Sequence, residues 1–243
     1  MSIEKENVST EELETEEIET GDALTQETEQ ENAEAKKEKK DMNPIVKEIL
    51  SWVEVVALAL FIALFMNHFI IINANVPTGS MEQTIHVKDR LIGFRLAYLK
   101  KDPKRGDIVM FDYPVDESQI YIKRIIGLPG EHLEIRDAQV YINGSDTPLE
   151  EIYLPDEWIM RSDGLSYDVP EGYYFVMGDN RNNSLDGRYW AEEAVADELV
   201  ETEEEAVEQK YCFVSRDKIL GKAIFRYYPF NTIKRLNVDP YEE

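Results

Sequence analysis

Three short runs carry the side chains in this sequence that could do covalent chemistry. The first is Val76-Pro77-Thr78-Gly79-Ser80-Met81. Pro77 and Gly79 bracket a tight turn, and a glycine beside a serine lets a substrate approach the backbone closely. A serine hydroxyl is a weak nucleophile until a base stands next to it. The second run, Tyr121 to Glu131 (YIKRIIGLPGE), contains such a base in Lys123. A lysine in an alternating strand projects its amine to one face. If that face is inward, desolvation lowers the pKa, and the neutral amine can take a hydroxyl proton. The third run, Gly178 to Arg188 (GDNRNNSLDGR), is dense in groups that bond the backbone and each other. Asp186 with Arg188 or Arg181 can form a charge-assisted pair that fixes a loop, and Ser184 can orient an amine. Taken singly, each run also fits a bland role: a Gly-Ser turn, a lysine reaching out to water, a polar turn after a strand.

Other chemistries find less support. His68, His86 and His132 lie far apart without metal-ligand spacing, and no His–Asp pair is placed for a triad. A nucleophilic serine in this chain therefore needs a base other than histidine, and lysine is one solution. The single cysteine, Cys212, can form no intrachain disulfide and reads as a small buried hydrophobe. No metal site and no cofactor is expected.

The elements that must position these runs fall into three segments and an insert. Residues 1–44 form an acidic tail, whose first 35 residues carry thirteen Asp/Glu against Lys5 alone. Such a segment buries too little apolar area to offset its ordering entropy and is expected to be disordered. Residues 45–72 form the anchor, with Ile49 to Ile72 reading ILSWVEVVALALFIALFMNHFIII. As a helix that stretch spans about 36 Å, enough to cross a bilayer. Lys36, Lys37, Lys39, Lys40 and Lys47 precede it, and no Lys or Arg occurs in the fifteen residues after it. The positive-inside rule puts the N-terminus in the cytoplasm, in a single-pass protein of the cell membrane. The exit Asn73-Ala74-Asn75 is not an A-x-A site, so the anchor is expected to stay uncleaved.

Residues 73–243 then form an extracytoplasmic β-rich domain. Arg90–Phe94, Asp107–Tyr113, Tyr121–Ile126, Leu133–Arg136, Gln139–Ile142, Tyr173–Met177 and Ile219–Tyr227 read as short strands. Asp137-Ala138 turns one hairpin, and Asn143-Gly144 closes the next. An acidic insert at 191–210 carries nine Asp/Glu and no base between Glu192 and Glu208, and reads as a surface helix or mobile loop. The net charge of −24 belongs mostly to the tail and this insert. No basic face stands out, which argues against nucleic acid as a partner. Leu91–Leu99 offers apolar surface to lipid or to the core.

The three runs, in this order behind an N-terminal span, resemble the bacterial type I signal peptidase family, in its Gram-positive form with one anchor. Gly106–Pro114 (GDIVMFDYP) and Gly221–Phe230 (GKAIFRYYPF) resemble two further family strands, so the likeness covers roughly Ile45 to Ile233. It implies a mainly β catalytic domain, of the signal-peptidase-like and LexA-like β-fold, behind one transmembrane helix. It implies a serine endopeptidase that removes signal peptides from secretory preproteins after small residues (Ala-x-Ala), next to membrane lipid. By position, Ser80 is the nucleophile and Lys123 the general base. Thr78 helps the Ser80 N–H form the oxyanion hole, and Ser184 hydrogen-bonds the lysine. Asp186 and Arg188 are a supporting ion pair, and Gly178 opens the turn near the lysine. Gly187 stands where the family usually has serine, a departure expected to matter little.

Rival readings fit less well. A self-cleaving repressor carries a DNA-binding helix pair and no span, the reverse of this chain. A β-lactamase-type Ser-x-x-Lys fails at Ser80, because position 83 is Gln. A tethered β-domain that binds without cutting is expected to have lost Ser80 or Lys123.

Overall fold

The apolar segment folds as one helix, α1 (Pro44–Phe69), of 26 residues. Proline fits a first helical position, and the preceding Asn43 caps it: its Oδ1 accepts from the Ile45 N–H at 3.1 Å. The best 18-residue window has a mean hydropathy of 2.5, and none of it is buried by protein. Length and composition suffice to cross a membrane. The computed structural model describes residues 43–154 and 163–236, so the tail proposed to be disordered lies outside them, Asn43 and Pro44 excepted. The chain divides into two compact units after Phe61, and the fold below is that of the second.

That unit is mainly β, as its sequence predicts. Its strands are β1 (Ile71–Asn75), β2 (Arg90–Phe94), β3 (Ile108–Asp112), β4 (Ile120–Gly127), β5 (His132–Arg136), β6 (Gln139–Ile142), β7 (Ser166–Asp168) and β8 (Tyr173–Met177). Two short helices follow, α2 (Trp190–Ala196) and α3 (Glu203–Glu208), then β9 (Val214–Ser215), β10 (Ile219–Tyr228) and β11 (Lys234–Arg235). The large sheet has the order β1-β2-β10-β3-β4-β8-β9, with β11 on β10; the small one is β6-β5-β7. Each of these pairings is antiparallel.

All seven expected strands form. Four more, β1, β7, β9 and β11, have no clear signal. β1 continues the apolar run of the span without a change of period, and the others are only two or three residues long. Asp137 and Ala138 both have positive φ and turn β5 into β6 as expected. Asn143 and Gly144 also have positive φ, but no paired strand follows. The returning chain makes a ladder-like bond from Leu149 N to Val140 O at 2.7 Å, and β7 pairs with β5 instead.

The acidic insert is more than a surface appendage. Its carboxylates face outward, but Ala191, Ala194, Val200 and Ala206 are buried with Leu133, Phe175 and Phe213 in one core cluster. Small side chains make that buried stripe, which is why its apolar signal is faint. Cys212 lies in the same cluster, as expected of a small hydrophobe. A second cluster joins Val109, Phe111, Tyr113, Ile125 and Trp190 under the large sheet. A third gathers Ile72, Val76, Met81, Ile85, Leu91 and Met110 around the first sequence run.

Candidate active site

The turn holding Ser80 is pinned at both ends. Val76 N donates to Asp89 O at 3.0 Å and Lys88 N to Val76 O at 2.8 Å, while Met81 and Ile85 sink into the third core cluster. Apolar anchors on both sides of a Pro-Gly turn thus fix the short loop that bears the serine. The loop of the third run clamps it from above. Asn180 N donates to Ser80 O at 3.0 Å, and Asn180 Nδ2 to Gly79 O at 3.0 Å.

Lys123 sits in β4 opposite Val109 of β3, with its side chain turned inward. Only 4% of the residue is exposed, against 9% for Ser80. The Nζ donates to Ser80 Oγ at 2.7 Å. Burial pushes the amine pKa down to about 8; the carboxylates of Asp186 and Asp179 oppose the fall and the Arg188 guanidinium adds to it. A hydroxyl and a desolvated amine therefore meet within hydrogen-bond reach, the arrangement a lysine base needs.

The third run supports this pair from behind. Gly178 N donates to Asp186 Oδ2 at 2.9 Å. A Cβ at Gly178 would lie 2.2 Å from Ser184 Oγ and 2.4 Å from Ser80 O, so only glycine lets the loop close on the serine. Arg188 is the partner of Asp186, at 2.8 and 2.9 Å. Burial disfavours the Asp186 carboxylate, but Arg188, the Gly178 amide and Lys123 outweigh that and hold its pKa below the usual range. Arg181, the alternative partner, instead pairs with Glu151, with Nη1 to Oε2 at 2.9 Å. Ser184 Oγ is buried but makes no hydrogen bond, so the bond to the lysine that resemblance implies is not formed. Thr78 is exposed on the rim of the site.

A cavity of about 800 Å³ opens beside the pair, lined by Val76, Thr78, Ser80, Ile85, Ile122, Lys123 and Leu185 among others. One wall carries the hydroxyl and the amine. The rest is mostly apolar.

Several supporting residues have no clear sequence signal. Arg124 points to the opposite face of β4 from Lys123 and meets Asp179 in a buried pair, at 2.8 and 2.7 Å. Thr84 Oγ1 donates to Asp179 Oδ2 at 2.6 Å, and Arg124 Nη1 donates to Gly106 O at 2.8 Å. The Tyr153 ring covers the guanidinium, its centroid 3.8 Å away. The available hint is position alone: Arg124 follows the lysine, and Asp179 follows Gly178.

Gly187 gives a first prediction. A Cβ there would lie 2.8 Å from Cys212 O and 2.8 Å from the Phe175 ring. Gly187→Ser is expected to destabilise the domain by about 1–3 kcal/mol through overpacking. Urea titration with tyrosine and tryptophan fluorescence checks this. An unchanged midpoint would mean that Phe175 moves aside at no cost.

Comparison with known proteins matches this sequence to a family. The family model described as signal peptidase, peptidase S26, matches residues 49–228. A probable signal peptidase I-2 of Synechocystis sp. is 32% identical over 222 residues, 88% of each chain. Signal peptidase I of Bacillus amyloliquefaciens is 30% identical, over 82% of this chain and 98% of its own. A crystal structure of a signal peptidase I from Enterococcus faecalis is 33% identical and covers 50% of this chain and 97% of that one, with a TM-score of 0.36. With a matched segment that spans most of the sequence and holds all three runs, the chain belongs to the signal peptidase family, peptidase S26.

Proposed function

We propose that this signal peptidase cuts secretory preproteins with a Ser80–Lys123 dyad. The observation that carries the reading is the 2.7 Å bond between two buried groups, one an amine whose pKa falls to about 8. When the amine is neutral the bond reverses, and the Ser80 hydroxyl donates to Nζ. Ser80 Oγ then attacks the scissile carbonyl as its proton passes to Lys123. The tetrahedral oxyanion is held by the Ser80 N–H and the Thr78 hydroxyl. Collapse breaks the C–N bond, and Lys123 returns the proton to the leaving amine. Water, deprotonated by the same neutral amine, attacks the acyl carbonyl; the bond to Ser80 Oγ breaks, the new C-terminal carboxyl leaves, and Lys123 returns the proton to Ser80 Oγ. Gly178, Asp186 and Arg188 keep the loop closed on the serine, and Ser184 has unused bonding capacity to offer the ammonium.

The substrate is a signal peptide with small residues at the first and third positions before the bond. Val76, Ile85 and Ile122 line the cavity and give it apolar walls, which supports this preference. The helix α1 is the single membrane anchor, with the lysine-rich end in the cytoplasm and the catalytic domain outside. Preproteins and lipid are the partners, with no role for nucleic acid.

Detergent-solubilised protein is expected to cut a preprotein whose signal ends in Ala-x-Ala, after the second alanine. An uncut preprotein overturns the reading. The pH profile is the second prediction. The amine acts in its neutral form, so kcat/KM is expected to rise with pH through about 8 and to fall tenfold per unit below it. An acid optimum, or a midpoint near the ordinary 10.5 of lysine, would rule out a buried amine base.

A further inference from the structure

A second large cavity lies on the outer face of the large sheet, away from Ser80. Its volume is about 810 Å³, and its floor is Ile92 and Phe94 of β2 with Ile224 and Phe225 of β10. Leu91 and Gly93 of β2 face the core, so Ile92 and Phe94 turn to the opposite side and stay half-exposed. No element of the described chain covers them. Lys101, Lys104 and Arg235 stand around this apolar floor. All three are exposed, and among the described residues none of them forms an ion pair. The acids at the groove already have partners: Asp107 pairs with Lys222, which also lines it, and with the Tyr98 hydroxyl, and Asp102 pairs with Arg216.

Two facts of placement narrow what such a groove receives. Ile71, two residues past the end of α1 at Phe69, pairs with Phe94 at the lip of the groove. Beyond Phe94 the chain exposes Leu96 and Leu99, 41% and 73% accessible. The stretch from Lys88 to Arg105 also carries seven Lys/Arg against two Asp, in a chain of net charge −24. An apolar floor, a cationic rim and a position beside the exit of an apolar helix match one ligand chemistry. It has a phosphate to meet the three cations and acyl chains to cover Ile92, Phe94 and Phe225.

We infer that this groove is a binding site for an anionic phospholipid of the surrounding membrane, held by Lys101, Lys104 and Arg235. The inference rests on α1 being a membrane anchor, as proposed above. It also refines the fate of Leu91–Leu99: Leu91 and Tyr98 belong to the core, while Leu96 and Leu99 remain for lipid.

The test uses the full chain in neutral detergent and short-chain lipids below their micelle concentration. Binding of dihexanoyl phosphatidylglycerol is compared with that of dihexanoyl phosphatidylcholine and of glycerol 3-phosphate. Each basic residue near an anionic headgroup is worth on the order of a fivefold change. Phosphatidylglycerol is therefore expected to bind at least about tenfold tighter than either control. Lys101→Gln/Lys104→Gln/Arg235→Gln is expected to remove the difference while leaving preprotein cleavage in detergent unchanged. Equal affinity for phosphatidylcholine, or a preference that survives the triple substitution, overturns the inference. So does equal affinity for glycerol 3-phosphate, which would make this a site for soluble phosphate esters. The Ser80→Ala protein should give the same binding, so this readout stands or falls separately from peptidase activity.

Discussion

Replacing Lys123 with methionine is expected to abolish preprotein cleavage and yet to stabilise the domain at neutral pH. Loss of the base removes proton transfer in both half-reactions, so kcat is expected to fall by about 10⁴-fold or more. The gain in stability follows from the same burial. Lys123 is 4% exposed and its amine pKa drops from 10.5 to about 8, so folding penalises the charged form. Between these two values the unfolded chain binds more protons than the folded one, and wild-type stability rises with pH across that window. Below pH 8 the whole cost is present, about 3 kcal/mol. Methionine fills a similar volume without a charge. It forfeits one hydrogen bond to Ser80, worth about 1 kcal/mol, so the net gain at pH 7 is about 1–2 kcal/mol. Denaturant titrations at pH 7 and pH 10 of both proteins decide the matter. The variant's advantage must shrink as pH rises. A variant less stable than wild type at pH 7 would falsify the claim that the fold holds this amine under strain. Ser80→Ala is expected to lose activity equally without the stability gain, because the buried amine remains.

The second large effect concerns the pair behind the site. Asp179→Ala removes the buried carboxylate that pairs with the Arg124 guanidinium, in a place where both side chains are almost wholly inaccessible. Breaking a buried pair from one side costs about 3–5 kcal/mol, because the remaining charge loses its compensation. The neighbouring Asn180 clamps Gly79 and Ser80, so the damage should reach the nucleophile as well as the fold. Removing both charges is a different case. Arg124→Met/Asp179→Leu is expected to recover most of the lost stability, since well-packed apolar residues often replace a buried pair at little cost. The double-mutant cycle is read from urea midpoints of the four proteins. If Asp179→Ala costs under about 1 kcal/mol, the guanidinium's other contacts, Gly106 O and the Tyr153 ring among them, are enough to hold it.

Much of this molecule was legible in its sequence, and the legible part has one physical origin. Patterns with short period report on neighbours along the chain. Alternation of apolar and polar residues marks seven strands because successive side chains point to opposite faces. An unbroken apolar run marks α1, and Asp137-Ala138 marks a tight turn because the sequence around it is strand on both sides. The three chemical runs are recognisable for the same reason, since each is contiguous. Signals fade where an element is too short for a period, as in β7, β9 and β11, or where its buried stripe is made of alanine, as in the acidic insert.

What the sequence by itself determined is therefore a mainly β domain behind an apolar helix, and a serine, a lysine and a polar loop with the chemistry to act together. Only the tertiary structure decided how they meet. The register of β4 on β3 turns Lys123 toward Ser80 and Arg124 toward Asp179, and a slip of one residue would exchange the two faces. Packing chose Arg188 over Arg181 as the partner of Asp186 and sent Arg181 to Glu151, thirty positions away in the chain. It left Ser184 without the bond that resemblance implies, and it packed both Ser80 and Ser184 so closely on Gly178 that no Cβ fits there. It also laid bare the groove beneath Lys101, Lys104 and Arg235. These outcomes depend on strand register and on close packing between segments far apart in sequence, and no local pattern encodes either.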